Sequence, residues 1–145
     1  SISDGASALI LANESAVQAQ GLKPMAKIVA HARSSRLPAE FTLAPVDAIS
    51  SLLKKTGWSA DDVDLWEINE AFAMVTMLAM KAHGLDHSKV NVHGGACAQG
   101  HPIGSTGSRI IVTLMHAMHH YGKERGVAAL CIGGGEATAV AIEKC

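Results

Sequence analysis

The sequence predicts an α/β fold with a mixed, five-stranded sheet and helices on both of its faces. Stretches with the composition of strands alternate with stretches of helical periodicity, which is typical of βαβ units and a largely parallel sheet. The last two strand-like stretches are separated by little more than Gly133-Gly134-Gly135. Because so short a connection joins antiparallel strands, it predicts a closing hairpin.

The predicted elements follow one another in a regular order, and an apolar run at residues 6–12 precedes the first helix. The strand at residues 63–68 alternates in polarity and is therefore predicted to be half-buried. Each predicted helix ends at a glycine, and Pro45 suits a first helical turn. The predicted strands cover residues 25–32, 63–68, 89–93, 127–132 and 138–142, and the predicted helices cover residues 14–20, 45–57, 70–83 and about 105–121.

The composition indicates a polypeptide that packs against a neighbour. Hydrophobic residues make up 48% of the 145 residues and charged residues only 17%, whereas charged residues are about 25% of a typical domain. Such an excess of apolar surface is expected where another domain or subunit covers it. The chain also opens at Ser1 without an initiator Met, so we expect it to be cut from something longer.

Charge, hydropathy and cysteine content exclude several classes of partner. The net charge is -1 and the basic residues are scattered, which argues against nucleic acid. No stretch approaches the roughly 18 uninterrupted apolar residues of a membrane span, and no signal-peptide pattern is present, so no membrane partner is expected. Three cysteines without metal-type spacing favour reduced thiols in a cytoplasmic protein.

Three clusters of small residues follow predicted strands, after Ile68, His93 and Ile132. Ligands bind beyond the carboxyl ends of strands in α/β sheets, so chemistry is expected there. In the first cluster Asn69 stands at a strand-to-helix junction. Because Asn is a favoured helix N-cap, Asn69 either satisfies backbone donors or presents its amide to a cleft, where it would hold a water or a substrate oxygen.

The second cluster, residues 94–104, is rich in glycine and holds one histidine, His101. Gly95 and Gly100 have P-loop spacing, but His101 and Pro102 replace the required Lys and Ser/Thr. A dinucleotide-binding Gly-x-Gly-x-x-Gly after a strand is absent as well. His101 is therefore either a hydrogen-bonded structural residue or a catalytic residue held on a rigid turn.

The third cluster begins with Cys131, at the end of a predicted buried strand. Such a cysteine is usually an inert, small apolar residue. The three glycines that follow leave space beside its sulfur and unhindered N–H groups, which is the composition of an oxyanion site next to a thiol.

A metal site is not predicted. His116 and His120 are four residues apart, a spacing found in zinc sites, but Ala117 stands where the His-Glu-x-x-His motif requires Glu. Histidines near the carboxyl end of a helix are favoured by its dipole in any case.

Taken together and in this order, the three clusters are specific. The segments 69–73, 94–104 and 131–135 resemble the carboxyl-terminal active-site motifs of the thiolases, enzymes that make or break carbon–carbon bonds between acyl-CoA thioesters. The resemblance covers essentially the whole chain and implies a thiolase half of βαβαβαββ topology. It implies that residues 1–22 are the last strand and helix of the amino-terminal half and that residues 23–145 are the carboxyl-terminal domain.

The resemblance also implies a role for each motif residue. His101 would activate the nucleophilic cysteine of the family, which belongs to the absent amino-terminal half, and would help to stabilise the thioester oxygen. Asn69 would hold a water beside that oxygen, and Cys131 would move a proton at the α-carbon of the substrate. Gly133 would add its N–H to the oxyanion hole. The residues expected to line the wall near the pantetheine end are Ala71 and Phe72.

The implied activity is that of an acetyl-CoA C-acetyltransferase, which condenses two acetyl-CoA molecules to acetoacetyl-CoA and catalyses the reverse reaction without a cofactor. The implied partners are CoA and acyl-CoA, the amino-terminal half and loop domain of the same enzyme, and further copies in a homo-oligomer. Four residues depart from those common in the family and leave the preferred acyl chain length open, namely Cys97, Gln99, Ser105 and Thr106.

Three alternatives stay open at this stage. Within the family, the enzyme would be a thiolase of longer 3-ketoacyl-CoAs in β-oxidation. Outside it, the chain would be a non-catalytic fragment that binds CoA or assists assembly, or a hydrolase that pairs Cys131 or Cys97 with His101. The chain alone is expected to be inactive in acyl transfer, because the nucleophile of the family is absent.

Overall fold

The computed structural model describes all residues from 1 to 145. The helices lie close to their predicted positions, with one addition inside the second motif, and none is long and apolar enough to cross a membrane. The helices are α1 (Glu14–Gln20), α2 (Ala44–Thr56), α3 (Ala73–His83), α4 (Ala96–Gln99) and α5 (Thr106–Tyr121). The strands are β1 (Ala26–Ser35), β2 (Leu65–Ile68), β3 (Arg125–Ile132) and β4 (Glu136–Lys144).

The sheet has four strands in the order β1-β4-β3-β2, so the prediction of five strands is wrong. It is mixed, as predicted, but not largely parallel, since only β2 and β3 run parallel. Where the fifth strand was expected, Val90 forms a single bridge to Trp66. The chain then turns at Asn91, whose φ is +49°. The Asn91 side chain bonds the N–H and the carbonyl of Ile68 at 2.8 and 2.9 Å, so an amide replaces the backbone of the missing strand.

Helices cover both faces of the sheet, as predicted. On the face covered by α2 and α3, the α2–α3 face, fourteen buried side chains form one apolar cluster that includes Leu52. On the face covered by α5, the α5 face, a second cluster has seven buried members and includes Leu114. Because both faces are covered, every residue of β2 is buried, and the prediction of a half-buried strand is wrong.

The first 22 residues contact the remainder of the chain mainly near the second motif. Helix α1 forms as predicted and ends at Gly21. The apolar run at residues 6–12 forms no strand, and the only ladder contact of the segment is a bridge between Ile2 and His101. A strand requires a partner backbone, and without one Ile10 remains 96% exposed. The division into residues 1–22 and 23–145 remains a prediction.

Candidate active site

The ends of β2 and β3 bring the first and third motifs to one edge of the sheet. The two strands are parallel, with Ile68 opposite Ala129. The N–H of Asn69 continues this ladder by donating to the carbonyl of Ala129 at 2.9 Å. Cys131 lies two residues further along β3. Asn69 and Cys131 therefore share the carboxyl-terminal edge of the sheet, where ligands bind in folds of this kind.

The Asn69 side chain does not cap a helix. Helix α3 begins at Ala73, three residues later than predicted, and its N-cap position is Phe72. Asn69 is 1% exposed, and its Oδ1 accepts a hydrogen bond from Arg109 Nη2 at 3.2 Å. Its Nδ2 is buried without a hydrogen-bond partner in the protein. The interpretation of Asn69 as a helix cap is therefore wrong. The two hydrogens on its Nδ2 remain available to donate to a water or a ligand.

Glu70 attaches the second motif to the first. Its carboxylate accepts hydrogen bonds from Asn91 Nδ2 and from the N–H of Cys97, each at 2.9 Å. A side chain at Gly95 would overlap this carboxylate, so the close approach requires glycine. Burial raises the pKa of Glu70, but the hydrogen bonds from Cys97 and Asn91 outweigh burial and bring the pKa below its usual value. Glu70 is thus an anion that fixes the loop leading to His101.

His101 is partly buried and has one ring nitrogen engaged. Its Nδ1 lies 2.7 Å from Thr106 Oγ1, and the Thr106 hydroxyl donates to the carbonyl of Pro102 at 3.0 Å. Because a hydroxyl carries one hydrogen, Thr106 accepts from His101, which places the ring proton on Nδ1 and a lone pair on Nε2. Burial and the nearby charge of Arg109 lower the pKa of His101. At neutral pH the ring is therefore neutral, with Nε2 able to accept a proton.

Cys131 is a buried thiol at the end of β3. Burial raises the pKa of Cys131, so at neutral pH the sulfur holds its proton. The ring of His101 is bonded to Thr106 and the amide of Asn69 to Arg109, and no hydrogen bond joins either of them to Cys131. The structure thus links Asn69 and His101 through α5 and places Cys131 on the same edge of the sheet without a direct bond to them.

The turn after Cys131 is built from three glycines. Gly134 and Gly135 have φ values of +87° and +92°, a region that side chains other than glycine rarely adopt. A side chain at Gly135 would also overlap the carbonyl of Arg36. Gly133 is exposed, and an added Cβ there would meet no atom within 4 Å. The space beside Gly133 is therefore open to a ligand.

Ala71 and Phe72 lie in the short connection before α3. Ala71 is partly buried, whereas Phe72 is 58% exposed. The Phe72 ring contacts Phe41 edge-on, with 5.9 Å between ring centroids. Phe72 therefore presents apolar surface beside the site and does not fill the core.

The histidines near the end of α5 have other contacts. His119 Nε2 lies 2.9 Å from the carbonyl of Met25, and the His120 ring packs against Tyr121 at 4.7 Å between centroids. The structure contains no group of three His, Cys, Asp or Glu side chains arranged to hold a metal ion.

Sequence reasoning missed the residues that hold the site in place. Thr106 stands out in the sequence only as a departure from the family. Nothing local in the sequence indicates its contact or that of Arg109, since both contacts depend on how α5 packs on the sheet. Sequence reasoning also missed Glu67, which makes no hydrogen bond to the site residues. Glu67 does carry a local signal, because it is a carboxyl between two large apolar residues of a strand, Trp66 and Ile68. It is 2% exposed, and burial raises the pKa of Glu67 to about 8 although Arg109 opposes the shift.

The comparison with protein families shows to which family the chain belongs. The model of the family described as "Thiolase, C-terminal domain" matches residues 22–144 of the chain. The chain belongs to the thiolase family. This confirms the resemblance stated from the three motifs.

Individual thiolases agree with the family match. The probable acetyl-CoA acetyltransferase of Dictyostelium discoideum is 50% identical over 143 residues, which are 99% of this chain and 34% of that protein. The cytosolic acetyl-CoA acetyltransferase of Mus musculus is 46% identical over 143 residues, 99% of this chain and 36% of that protein. The crystal structure of human mitochondrial 3-ketoacyl-CoA thiolase in complex with CoA is 44% identical, with a TM-score of 0.89, and the match covers 92% of this chain and 34% of that one.

The match to these thiolases covers nearly all of this chain but only part of each relative. Nearly all of this chain is matched, but the chain spans about a third of the length of each of these relatives. The residues described here thus correspond to the carboxyl-terminal part of a thiolase.

Proposed function

We propose that the chain is the carboxyl-terminal part of an acetyl-CoA C-acetyltransferase, which condenses two acetyl-CoA molecules to acetoacetyl-CoA and CoA and catalyses the reverse reaction. The observation that carries the proposal is that α5 holds two side chains of the site, His101 through Thr106 and Asn69 through Arg109. His101 offers a lone pair on Nε2, and Asn69 offers unused amide hydrogens. A proton acceptor and an oxyanion donor are the two groups that acyl transfer to a thiol requires.

The first half-reaction uses His101 and Asn69. Nε2 of His101 takes the proton of a cysteine that the amino-terminal half would supply, and the sulfur attacks the thioester carbonyl carbon. The imidazolium then donates from Nε2 to the carbonyl oxygen, which Asn69 Nδ2 also stabilises through a water. The bond from carbon to the CoA sulfur breaks, and CoA leaves with the proton. In this account Gly133 adds its N–H to the oxyanion hole of the acyl intermediate.

The second half-reaction uses Cys131. In condensation its thiolate removes the α-proton of a second acetyl-CoA, the enolate carbon attacks the acyl carbon, and the bond from that carbon to the nucleophilic cysteine breaks. This cysteine leaves as a thiolate, and the proton that Cys131 took passes to it, so that both groups return to their starting forms. In the reverse direction the Cys131 thiol gives a proton to the enolate that leaves. The pKa of Cys131 is raised, so its thiol is suited to the proton donation of the reverse reaction. Condensation requires the thiolate, and this form requires a neighbouring group that lowers the pKa of Cys131.

The substrate assignment rests on the relatives. Both full-length relatives above carry the name acetyl-CoA acetyltransferase, which supports the short-chain reaction. The structure of the human 3-ketoacyl-CoA thiolase with CoA supports CoA as a ligand and keeps longer 3-ketoacyl-CoAs as the second candidate substrate. Under this proposal Ala71 and Phe72 line the wall near the pantetheine end, and no metal or other cofactor takes part.

We place the enzyme in the cytoplasm, as a homo-oligomer. The name of the mouse relative supports this compartment, whereas the mitochondrial human thiolase stands against it. The exposed apolar side chains of residues 1–22, among them Ile10 and Leu11, support packing against an amino-terminal half and further copies.

The rival Cys–His hydrolase is not supported by the geometry. Neither Cys97 nor Cys131 is hydrogen-bonded to His101, whose Nδ1 is held by Thr106. Cys97 is exposed, and desolvation together with the Glu70 carboxylate raises the pKa of Cys97, which weakens it as a nucleophile. A hydrolase would release acetate from acetyl-CoA without an acceptor, and the transferase would not.

Cys131→Ser in the complete enzyme tests the proposal, with Cys97→Ser as the matched control. The Cys131 variant should still form an acyl-enzyme from acetyl-CoA, measured by mass. It should lose about 10²- to 10⁴-fold in acetoacetyl-CoA formation, the range for removal of a general acid or base. The Cys97 variant should keep both steps. The purified 145-residue chain alone should turn over no acetoacetyl-CoA with CoA. A normal condensation rate in the Cys131 variant would contradict the proposal.

A further inference from the structure

One turn of α5 contacts both side chains of the first half-reaction. Thr106 is bonded to His101, and Arg109, three residues later, is bonded to Asn69, 40 residues away in the sequence. Residues three apart on a helix lie on the same side of it, so one turn can serve both partners. The same turn is held from outside by Ser7, whose hydroxyl lies 2.6 Å from the hydroxyls of both Ser105 and Ser108.

The partner of Asn69 determines which end of its amide faces the site. A guanidinium has hydrogen-bond donors only, so Arg109 can be met by Oδ1 and not by the NH₂ group. With Oδ1 fixed at 3.2 Å from Arg109 Nη2, the Nδ2 group has to point away from Arg109. Nδ2 is the polar atom of Asn69 that is buried without a partner. A reversed amide would face the guanidinium with its donors and offer an acceptor to the site, which could not stabilise an oxyanion.

Arg109 is poorly explained as a structural residue. Its Nε and Nη1 are buried without a hydrogen-bond partner in the protein, although buried polar atoms in proteins are nearly always paired. It takes part in none of the three salt bridges of the chain. Glu67, the buried acid of β2, is close enough to feel the charge of Arg109 but is not bonded to it. The one hydrogen bond of the guanidinium is the one to Asn69.

We propose that Arg109 is a positioning residue for the thiolase reaction, which acts by holding the amide of Asn69 with Nδ2 toward the thioester oxygen. Arg109 does not touch the substrate in this account. Its effect passes through Asn69, and the inference rests on the proposed function given above.

A double-mutant cycle in the complete enzyme tests this role. Arg109→Met should lower kcat about 10- to 100-fold, less than the roughly 10²- to 10³-fold expected for loss of the donor itself in Asn69→Ala. The KM values for CoA and acetoacetyl-CoA should stay within about twofold, since uniform binding is untouched. In the Asn69→Ala background, Arg109→Met should change kcat by less than about threefold, because both changes remove one interaction. Arg109→Lys should restore most of kcat, since a lysine also has only donors.

Controls separate this role from structural damage. Arg125→Met removes a half-exposed arginine that bonds Glu143 and should leave kcat unchanged. If Arg109→Met does not fold, Arg109→Gln takes its place in the cycle, since a glutamine can accept as well as donate and so no longer fixes the amide. Additive losses in the cycle would overturn the inference, as would a raised KM with normal kcat. Failure of the proposed function would look different, because the unmodified enzyme would then form no acetoacetyl-CoA.

Discussion

The two faces of the sheet are built on different principles. The α2–α3 face carries a continuous cluster of fourteen buried apolar side chains. The α5 face has half as many in its cluster. Beside them lie the buried Glu67 of β2, the buried Asn69 just after it, and the partly buried Arg109 of α5. Each of these three has a buried polar atom without a hydrogen-bond partner in the protein. Unpaired buried polar groups cost stability. The α2–α3 face is therefore built for stability, and under the proposed function the unpaired groups of the α5 face serve the chemistry.

The largest expected effect belongs to the α5 face. His101→Ala in the complete enzyme should lower turnover by about 10³-fold or more, because it removes both a proton acceptor and an oxyanion donor. Chelators should have no effect on the unmodified enzyme. Loss of its activity in EDTA, restored by zinc, would instead identify His101 as a metal ligand and contradict the assignment.

An intermediate effect on stability is expected at Glu67. Its pKa in the folded state is about 8, above the usual 4.5, because of burial. The folded state therefore binds more protons than the unfolded state between these values, and the free energy of unfolding falls as pH rises from about 4.5 to about 8. Glu67→Gln should remove this slope and be more stable than the unmodified protein by a few kcal/mol above about pH 8. Urea unfolding of the complete enzyme across this pH range measures it.

Asp64→Asn is the matched control for that measurement. Burial raises the pKa of Asp64, but hydrogen bonds from the N–H groups of Arg125 and Glu124 outweigh burial, and the pKa is lowered. The stability that Asp64 contributes is therefore lost only as pH falls below its usual value of 3.8. Asp64→Asn should leave the slope above about pH 5 unchanged. An unchanged slope in Glu67→Gln would contradict the description of the α5 face.

The same contrast explains what the sequence could predict. Helices α1, α2 and α5 were predicted nearly to the residue, because glycines end them and apolar side chains recur with helical period. The first and third motifs follow strands as predicted, β2 and β3, whereas the second follows only a single bridge at Val90. The fold predictions that failed concerned strands, whose formation and burial depend on distant parts of the chain. The expected fifth strand failed because the amide of Asn91 bonds Ile68 in its place.

The role of Asn69 could not be decided from its neighbours in sequence. At a strand-to-helix junction a cap and a catalytic amide have the same local pattern. The structure excludes the cap, because Phe72 holds the N-cap position of α3. The Asn69 amide instead accepts from Arg109, 40 residues away, a contact that depends on how α5 packs against β2. The tautomer of His101 likewise depends on the Thr106 hydroxyl and on the Pro102 carbonyl that receives its hydrogen.

The most direct test of the contrast compares one residue from each face in the complete enzyme, with unfolding free energy and turnover per folded molecule both measured. Leu52→Ala should cost about 2–5 kcal/mol, the range for a buried leucine, and leave turnover per folded molecule unchanged. Asn69→Ala should lower that turnover by about 10²- to 10³-fold at a cost of no more than about 1–3 kcal/mol. An Asn69 variant that loses stability as Leu52→Ala does, and works at the normal rate per folded molecule, would contradict the account.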